Sequence, residues 1–338
     1  MADSIDYALT RDQALAEIIM AQREERVPML DGADLSQADL RRTDLSGGNI
    51  REANLSGANL SGAYMCGAYL RKANLSRANL SGTNLNKAVM IGVNLIGANL
   101  RGASMRATDL RTTDLCGVSL RGADLGRVDL AEADLIGADL SKCYLSEADL
   151  SGANLVGANL SQANLSKANL IGADLSLAIL SNANMSGAYA CRAFMHSANL
   201  VEANISLANM SGAYLSGAYL FHAYLNKADL SKVDFTRANL IGADLSGTDL
   251  SKANLCDALL NGANLNEATM RATNCTGANL QTAQLFGAVL THSVFINADL
   301  QGIQATSREF ADVDIIALHN VLIDPFTAQR LGMDIAPV

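Results

Sequence analysis

The amino-acid sequence predicts an all-β solenoid, a chain wound into stacked four-sided coils, and three observations support this prediction. An apolar residue, large in every repeat except those of Ala190 and Cys275, recurs at every fifth position from Leu35 to Leu300, which gives 54 repeats without a change of register. A small residue stands two positions before each of these centres, and it is alanine in 41 repeats. Glycine occupies the second position after the centre in 23 repeats. A period of five keeps no face of a single helix or strand apolar, so neither element alone fits the pattern.

A coil with one repeat per side does fit this period. The large centre, which is leucine in 41 repeats, and the small residue then both point inward, and the other three residues face water. The frequent glycine is the third residue of a four-residue turn that begins at the centre, where a type II turn requires positive φ. Each turn bends the chain by roughly a right angle, so four sides close a square and the chain stacks on itself every twenty residues.

The repeated motif A-(D/N)-L-x-x resembles that of the pentapeptide-repeat family. An example is Ala58-Asn59-Leu60-Ser61-Gly62, and the residue before the centre is Asn in 21 repeats and Asp in 16. The resemblance covers about 270 of the 338 residues. It implies a right-handed quadrilateral parallel β-helix, with about 13.5 coils over residues 31–302. The family resemblance implies a fold and does not imply a reaction.

The two ends of the chain depart from the repeat and are expected to form short helical caps, over residues 1–30 and over residues 303–338, the latter with a tail. The pattern T-x-x-Q at residues 10–13 is typical of a capping box, and apolar residues follow it at helical spacing: Ala14, Leu15, Ile18 and Ile19. The pattern T-x-x-E at residues 306–309 predicts a second helix that carries apolar residues from Phe310 to Leu322. Such caps would cover the open backbone of the terminal coils.

Charge and hydropathy argue against two classes of partner. The net charge is −9, but residues 31–302 carry 23 acidic and 20 basic side chains, so the repeat region is nearly balanced. Direct nucleic-acid binding would need a basic stripe, and the sequence contains none. No stretch of the sequence is apolar for long enough to cross a membrane. The first residues lack the basic start and apolar run of a secretory signal. We therefore expect a cytoplasmic protein that binds neither nucleic acid nor membrane.

A search for chemistry predicts no catalytic, cofactor-binding or metal site, and hence no enzyme. The four histidines fall on different repeats, and none has a Cys or carboxylate at a metal-ligand spacing. The rows of Asn and Asp predict ladders of amides along the coils rather than a calcium site, which needs convergent oxygens. The six cysteines lie too many coils apart for disulfides, so we expect free thiols.

Aromatic residues supply the candidate site. Several of them replace the outward Asn or Asp just before a centre, and exposed aromatic clusters favour a partner surface. Phe194 and Tyr214 are twenty residues apart, so they should stack on one side of the coil, with Asp174 and Asp234 one coil further each way. The alternative is that aromatic residues are merely tolerated at exposed β positions. The candidate surface comprises Tyr189, Phe194, Tyr214, Tyr219, Phe221 and Tyr224.

Two functions are consistent with these observations. The first is a non-enzymatic scaffold or regulator that binds a protein partner through its sides or caps. The second rests on the family resemblance, because some pentapeptide-repeat proteins are acidic, DNA-shaped dimers that bind DNA gyrase and protect it from quinolones or toxins. In both cases the apolar surface of the predicted C-terminal helix could form a two-fold contact between copies of the chain.

Overall fold

The structure is a computed structural model that describes residues 9–313 and 315–332. The chain divides into two units, Met1–Asn164 and Leu165–Val338, and each is built of stacked four-sided coils. Each side pairs through one residue, the outward residue before the centre, with its counterparts twenty positions away in parallel orientation. Asn54, for example, pairs with Asp34 and Asn74. Helix α1 spans Arg11–Arg23, a 3₁₀ turn spans Ile315–Leu318, and helix α2 spans Pro325–Leu331.

The corners of the coil are type II turns, as the glycine pattern predicted. All 55 residues at the second position after a centre, from Gly32 to Gly302, have positive φ between 53° and 72°. The next residue closes the turn, as where the Ala58 N–H donates to the carbonyl of Leu55 at 3.0 Å. Only 24 of these corner residues are glycine. The corner conformation is therefore imposed by the coil even where the side chain opposes it.

The interior of each coil is filled by the large centres and the small residues before them. Leu55 and Ala58 are both fully buried, as the repeat predicts. Backbone groups join successive coils: the Leu55 N–H donates to Asn74 O at 2.7 Å, and the Asn54 N–H donates to Ala33 O at 2.9 Å. Each coil therefore buries its apolar residues against its neighbours and satisfies its backbone there, as in other stacked-repeat proteins.

Some inward alanines are replaced by Thr, Ser or Cys, and the structure gives these polar groups partners. Thr83 Oγ1 donates to Leu60 O at 3.0 Å, and Thr108 Oγ1 donates to Leu85 O at 2.8 Å. The Cys143 thiol lies 2.9 Å from the carbonyl of Leu120 in the same way. The corner carbonyl of the preceding coil thus accepts from a buried donor, which removes most of the cost of burying it.

Helix α1 starts as the capping-box pattern predicted. The Thr10 N–H donates to Gln13 Oε1 at 2.9 Å. The buried face of the helix consists of Ala14, Ile18 and Ala21. Ile19, which the sequence analysis listed with the other apolar residues of this helix, is 51% exposed. The buried residues are spaced four and three apart and form one narrow stripe, and Ile19 lies about 100° away from Ile18 around the helix.

A carboxylate joins α1 to the loop that leads into the first coil. Arg26 donates two hydrogen bonds to Glu17, at 2.5 and 2.8 Å, and the Met29 N–H donates a third at 3.0 Å. The bonds from Arg26, and then that from Met29, lower the pKa of Glu17 to about 2. Met29 begins the row of paired residues. Glu17 therefore fixes the helix relative to the first paired side.

The predicted C-terminal cap does contain a helix, α2, but no helix begins at Thr306 as the sequence pattern indicated. The Thr306 N–H does donate to Glu309 Oε2 at 2.7 Å, but the chain continues in turns and reaches a helix only at α2. The reason lies in the last coil, whose N–H groups have no following coil to donate to. These N–H groups donate instead to carbonyls that a helix would have used: Phe295 N–H to Ala317 O, Asn297 N–H to His319 O and Leu300 N–H to Leu322 O, at 2.7–2.9 Å.

Two carboxylates complete the C-terminal end. In the interior a corner N–H donates to the next coil, but here the Gly287 N–H donates to Glu309 at 3.0 Å and the Gly302 N–H donates to Asp324 at 2.8 Å. Asp324 also caps α2 by accepting from Thr327. The bonds from Thr327 and Gly302 lower the pKa of Asp324 to about 2. Among the described residues, no helix has both the length and the apolar character needed to cross a membrane.

The first testable prediction concerns Glu17. Replacing it with Gln should lower the free energy of unfolding at pH 7 by about 1–3 kcal/mol, because a charged acceptor of three hydrogen bonds is lost. The folded-state pKa lies below the ordinary value, so this stability is present above about pH 4.5 and is lost as the pH falls toward 2. Urea denaturation should therefore show the two proteins converging near pH 2. The control is Glu25→Gln, an exposed carboxylate, and a Glu17→Gln protein as stable as wild type at pH 7 would contradict the assignment.

The second prediction isolates the cost of the corner conformation. A Cβ added at Gly67 would meet no heavy atom within 4 Å, so Gly67→Ala changes only the backbone preference at φ 67°. We expect it to destabilise the protein by about 1 kcal/mol in chemical denaturation. The control is Gly126→Ala made and compared in an Arg106→Ala background, because Gly126 lacks a positive φ and its added Cβ would otherwise meet Arg106 Nη1 at 2.7 Å. Equal effects of alanine at both positions would show that φ is not the cause.

Candidate protein-binding surface

The outward residue before each centre has two tasks when it is Asn or Asp. Its side-chain oxygen accepts from the N–H two residues later, as Asp34 does from Ser36 at 3.0 Å. When the residue is Asn, its side-chain amide can also donate to the preceding coil, as Asn74 Nδ2 does to Asn54 Oδ1 at 3.3 Å. The predicted amide ladders are therefore confirmed, and the same side chains help to close the corners. Another residue type at this position gives up both contacts.

Phe194 and Tyr214 occupy this position in successive coils, and they form what we call the aromatic pair. Their rings are parallel within 7°, with centroids 5.0 Å apart. Asp174 pairs with Phe194 on one side, and Asp234 pairs with Tyr214 on the other, as the twenty-residue spacing predicted. The two rings are 40% and 41% exposed. The pair therefore presents a flat, half-exposed apolar surface with a carboxylate at each end.

His196 lies at the corner beside the aromatic pair. Its Nδ1 is 2.6 Å from Ser216 Oγ, and its ring centroid is 6.0 Å from that of Tyr214 and 6.2 Å from that of Phe194. A histidine–serine contact can activate a nucleophile when a third group orients the imidazole. Here the rings of Phe194 and Tyr214 lie beside the imidazole, so His196 extends the exposed aromatic surface.

The remaining predicted residues lie on other sides of the coil. We number the sides of the second unit in chain order, with the aromatic pair on side 1. Tyr219 then lies on side 2, Tyr224 on side 3 and Tyr189 on side 4. Phe221 lies at the corner after side 2, where its ring meets that of His222 edge-on at 4.1 Å. The structure therefore brings together the aromatic pair and distributes the other four predicted residues around the coil.

Sequence reasoning missed the aliphatic part of this surface. Ile179 and Leu259 are outward residues of side 2, and they are 41% and 39% exposed. Leu177, at a corner with φ 61°, is 62% exposed, so it accepts an unfavourable backbone conformation without being buried. Comparing outward residues at steps of twenty would have found these positions, because that spacing places residues side by side. A scan for aromatic residues alone could not have found these aliphatic positions.

The structure also shows the state of the cysteine thiols. All six are free, as predicted. Burial, with the carboxylates of Asp114 and Asp134, raises the pKa of the Cys116 thiol to about 11, and burial raises that of Cys143 to about 12. Both thiols therefore stay protonated at neutral pH. Within the part of the chain that the structure describes, no group of three or more His, Cys, Asp or Glu is placed to hold a metal ion.

Comparison with known proteins places the chain in a family. The family model "Pentapeptide repeats (8 copies)" matches overlapping segments from residue 29 to residue 307. Comparison with curated proteins finds no significant match. Among solved structures, the chain is similar to HetL, a pentapeptide repeat protein involved in heterocyst differentiation regulation from the cyanobacterium Nostoc sp. strain PCC 7120. The identity is 31% over 83% of this chain and 96% of that one, with a TM-score of 0.41.

Two further structures are more distant. Full-length QnrB1, a plasmid-mediated fluoroquinolone resistance protein, is 19% identical over 68% of this chain and 97% of its own, with a TM-score of 0.25. A pentapeptide repeat protein from the Arabidopsis thaliana thylakoid lumen is 30% identical over 37% of this chain and 69% of its own, with a TM-score of 0.21. Because the family model covers most of the sequence, the chain belongs to the pentapeptide-repeat family, and the predicted right-handed quadrilateral β-helix is confirmed.

Proposed function

We propose that this chain is a non-enzymatic scaffold that binds a protein partner through the aromatic pair on side 1. The observation that supports the proposal is the stack of Phe194 on Tyr214, which is half exposed and replaces residues that would otherwise serve the corners. Rigid aromatic rings supply a large part of the energy of protein–protein interfaces, since they bury much area and lose little entropy. A flat side of a β-helix offers such rings on a fixed backbone.

The charges at the ends of the pair suggest what the partner looks like. Asp174 and Asp234 stand one coil before and one coil after the rings on the same side. Asp234 keeps its place by accepting from the backbone N–H of Thr236 at 3.1 Å. A partner with an apolar centre and basic residues at its edges would match this arrangement. Binding should then weaken as the ionic strength rises, because exposed charges are screened.

The alternative of a DNA mimic that binds gyrase remains a prediction, and the charge arrangement of the first unit counts against it. Asp109 and Asp129 stack on one side, as successive phosphates would. However, Arg111 contacts both, at 2.9 and 3.3 Å, and Arg127 pairs with Glu147 at 2.9 Å. These cations interrupt the acidic row, and a surface that imitates a polyanion needs rows without them.

The third prediction tests the aromatic pair. The double variant Phe194→Asn with Tyr214→Asn restores the residue type that the repeat prefers, so it should fold at least as well as wild type. Immobilised on resin, it should capture the specific partner from lysate of the cells that encode it at least tenfold less than wild type does.

Tyr144→Asn is the matched control, because Tyr144 has the same outward position in the first unit and is 59% exposed. The control should capture the partner as wild type does. Undiminished capture by the double variant, with the partner identified by mass spectrometry in both samples, would refute the assignment of side 1.

A further inference from the structure

Side 2 of the second unit carries an apolar row that is independent of the aromatic pair. Its outward residues in five successive coils are Ile179, Asn199, Tyr219, Asn239 and Leu259, each paired with the next. The three apolar residues are exposed by 41%, 53% and 39% in that order. An apolar side chain thus recurs at every second coil, with an amide between. The row is about 19 Å long from the spacing of paired β-strands.

The corner that follows side 2 is also apolar at its centre and is arranged symmetrically about the same coil. The residues just after the centres of three successive coils are Val201, Phe221 and Ile241, and polar residues, Ser181 and Asn261, precede and follow them in the same row. Phe221 is 38% exposed, and Val201 and Ile241 are half-buried. Side 2 and its corner therefore form one apolar strip, in which aliphatic residues surround a central pair of aromatic ones.

This strip reads the same in both directions from its centre. Two coils before and two coils after Tyr219 stand Ile179 and Leu259, and one coil away in each direction stands an asparagine. In an isologous contact a surface meets its own copy, so it must be complementary to itself after a two-fold rotation. An antiparallel alignment of two copies of the strip places apolar residues on apolar residues and amides on amides, so it meets that condition.

We propose that side 2 binds a second copy of this chain, antiparallel to the first, with Tyr219 on the two-fold axis. Ile179 then contacts the second copy's Leu259. Asn199 faces the second copy's Asn239, and two amides can exchange hydrogen bonds because each has a donor and an acceptor. The central Tyr219 and Phe221 meet their own copies. The repeat itself makes this alignment possible, because both chains have the same spacing between coils.

Charge distinguishes side 2 from side 1 as the surface for a second copy. Antiparallel docking through the aromatic pair would set Asp174 opposite the second copy's Asp234, twice in each dimer, and like charges in contact oppose association. Between Ile179 and Leu259 the outward row of side 2 carries no charged residue. Side 1 thus disfavours self-association and stays available to another protein, whereas the outward row of side 2 carries no charge that would repel its own copy.

The area of the strip determines how strongly two copies are expected to associate. Five coils on one side and its corner would bury on the order of 1,000 Å² in total, which is the lower end of the range for specific interfaces. We therefore expect a reversible dimer with a dissociation constant in the micromolar range. This proposal does not rest on the function proposed above, because it concerns a different side of the coil.

The fourth prediction uses two tyrosines of one coil. Tyr219 and Tyr224 have equivalent outward positions and are 53% and 54% exposed, but only Tyr219 lies on the proposed axis. Sedimentation equilibrium of the wild-type chain should show a monomer–dimer equilibrium. Tyr219→Asp should raise the dissociation constant at least tenfold, because two carboxylates would meet on the axis, and Tyr224→Asp should leave it unchanged.

A second set of variants tests the antiparallel orientation. Asn199→Asp with Asn239→Asp keeps the acceptors that each corner uses, since both amides accept from the N–H two residues later, but it sets like charges opposite each other. It should abolish the dimer. Asn199→Asp with Asn239→Lys sets opposite charges across the interface and should bind at least tenfold more tightly than the first variant does.

Three results would overturn the proposal. One is a wild-type chain that stays a 35.5 kDa monomer at about 500 µM, far above the expected dissociation constant. Another is a dimer that Tyr219→Asp does not weaken but Phe326→Asp does, because Phe326 is a 71% exposed residue of α2 and would mark a contact through the C-terminal end. The third is equal association of the two charge variants, which would exclude the antiparallel alignment.

Discussion

The structure depends on one backbone constraint, the left-handed residue that every corner requires. A corner of any other geometry would not bend the chain through a right angle, and the side that follows would lose its alignment with the coil below. Non-glycine residues take up this conformation at 31 corners, Lys72 and Arg77 among them, although it costs an L-residue roughly 1–2 kcal/mol. The burial of a leucine and an alanine at every side, and the hydrogen bonds between coils, offset that cost.

The same constraint determines how the coils end. Each coil uses the next one as the acceptor for its corner N–H groups, so the last coil leaves donors without partners. Glu309 and Asp324 supply those acceptors, and the backbone of residues 317–322 supplies others. At the other end Glu17 connects helix α1 to the first paired side. Carboxylates suit this task, because one side chain accepts several hydrogen bonds and holds its charge over a wide pH range.

The interior and the corners could be predicted from the sequence because they follow a strict local rule. The period of five, the inward leucine and alanine, and the glycine at the corner each reflect a requirement that every repeat meets alone. The C-terminal end could not be predicted in this way. T-x-x-E at residues 306–309 has the local pattern of a helix start, but the unpaired donors of Phe295, Asn297 and Leu300 are a tertiary demand that the local pattern does not contain.

The candidate surface was predictable only in part, for a related reason. The stack of Phe194 on Tyr214 follows from their separation of twenty residues. The wider set of aromatic residues does not form one surface, because Tyr189, Tyr219 and Tyr224 are separated by five or more positions and each corner turns them to another side. In this fold, nearness in the sequence places residues on different sides, and a separation of one full coil places them in contact.

Surface function in such a coil is therefore best identified by departures from the residues that serve the corners. An outward Asn or Asp accepts from the corner N–H two residues later, so its presence is explained by folding alone. Phe194, Tyr214, Tyr219 and Ile179 give up that bond and are not buried in return. The corner contacts therefore do not explain these residues, and their grouping on sides 1 and 2 is what leads us to propose contact with another molecule there. Charge separates the two proposed surfaces: carboxylates at the ends of the aromatic pair would repel a second copy, whereas the uncharged, symmetric row around Tyr219 would admit one.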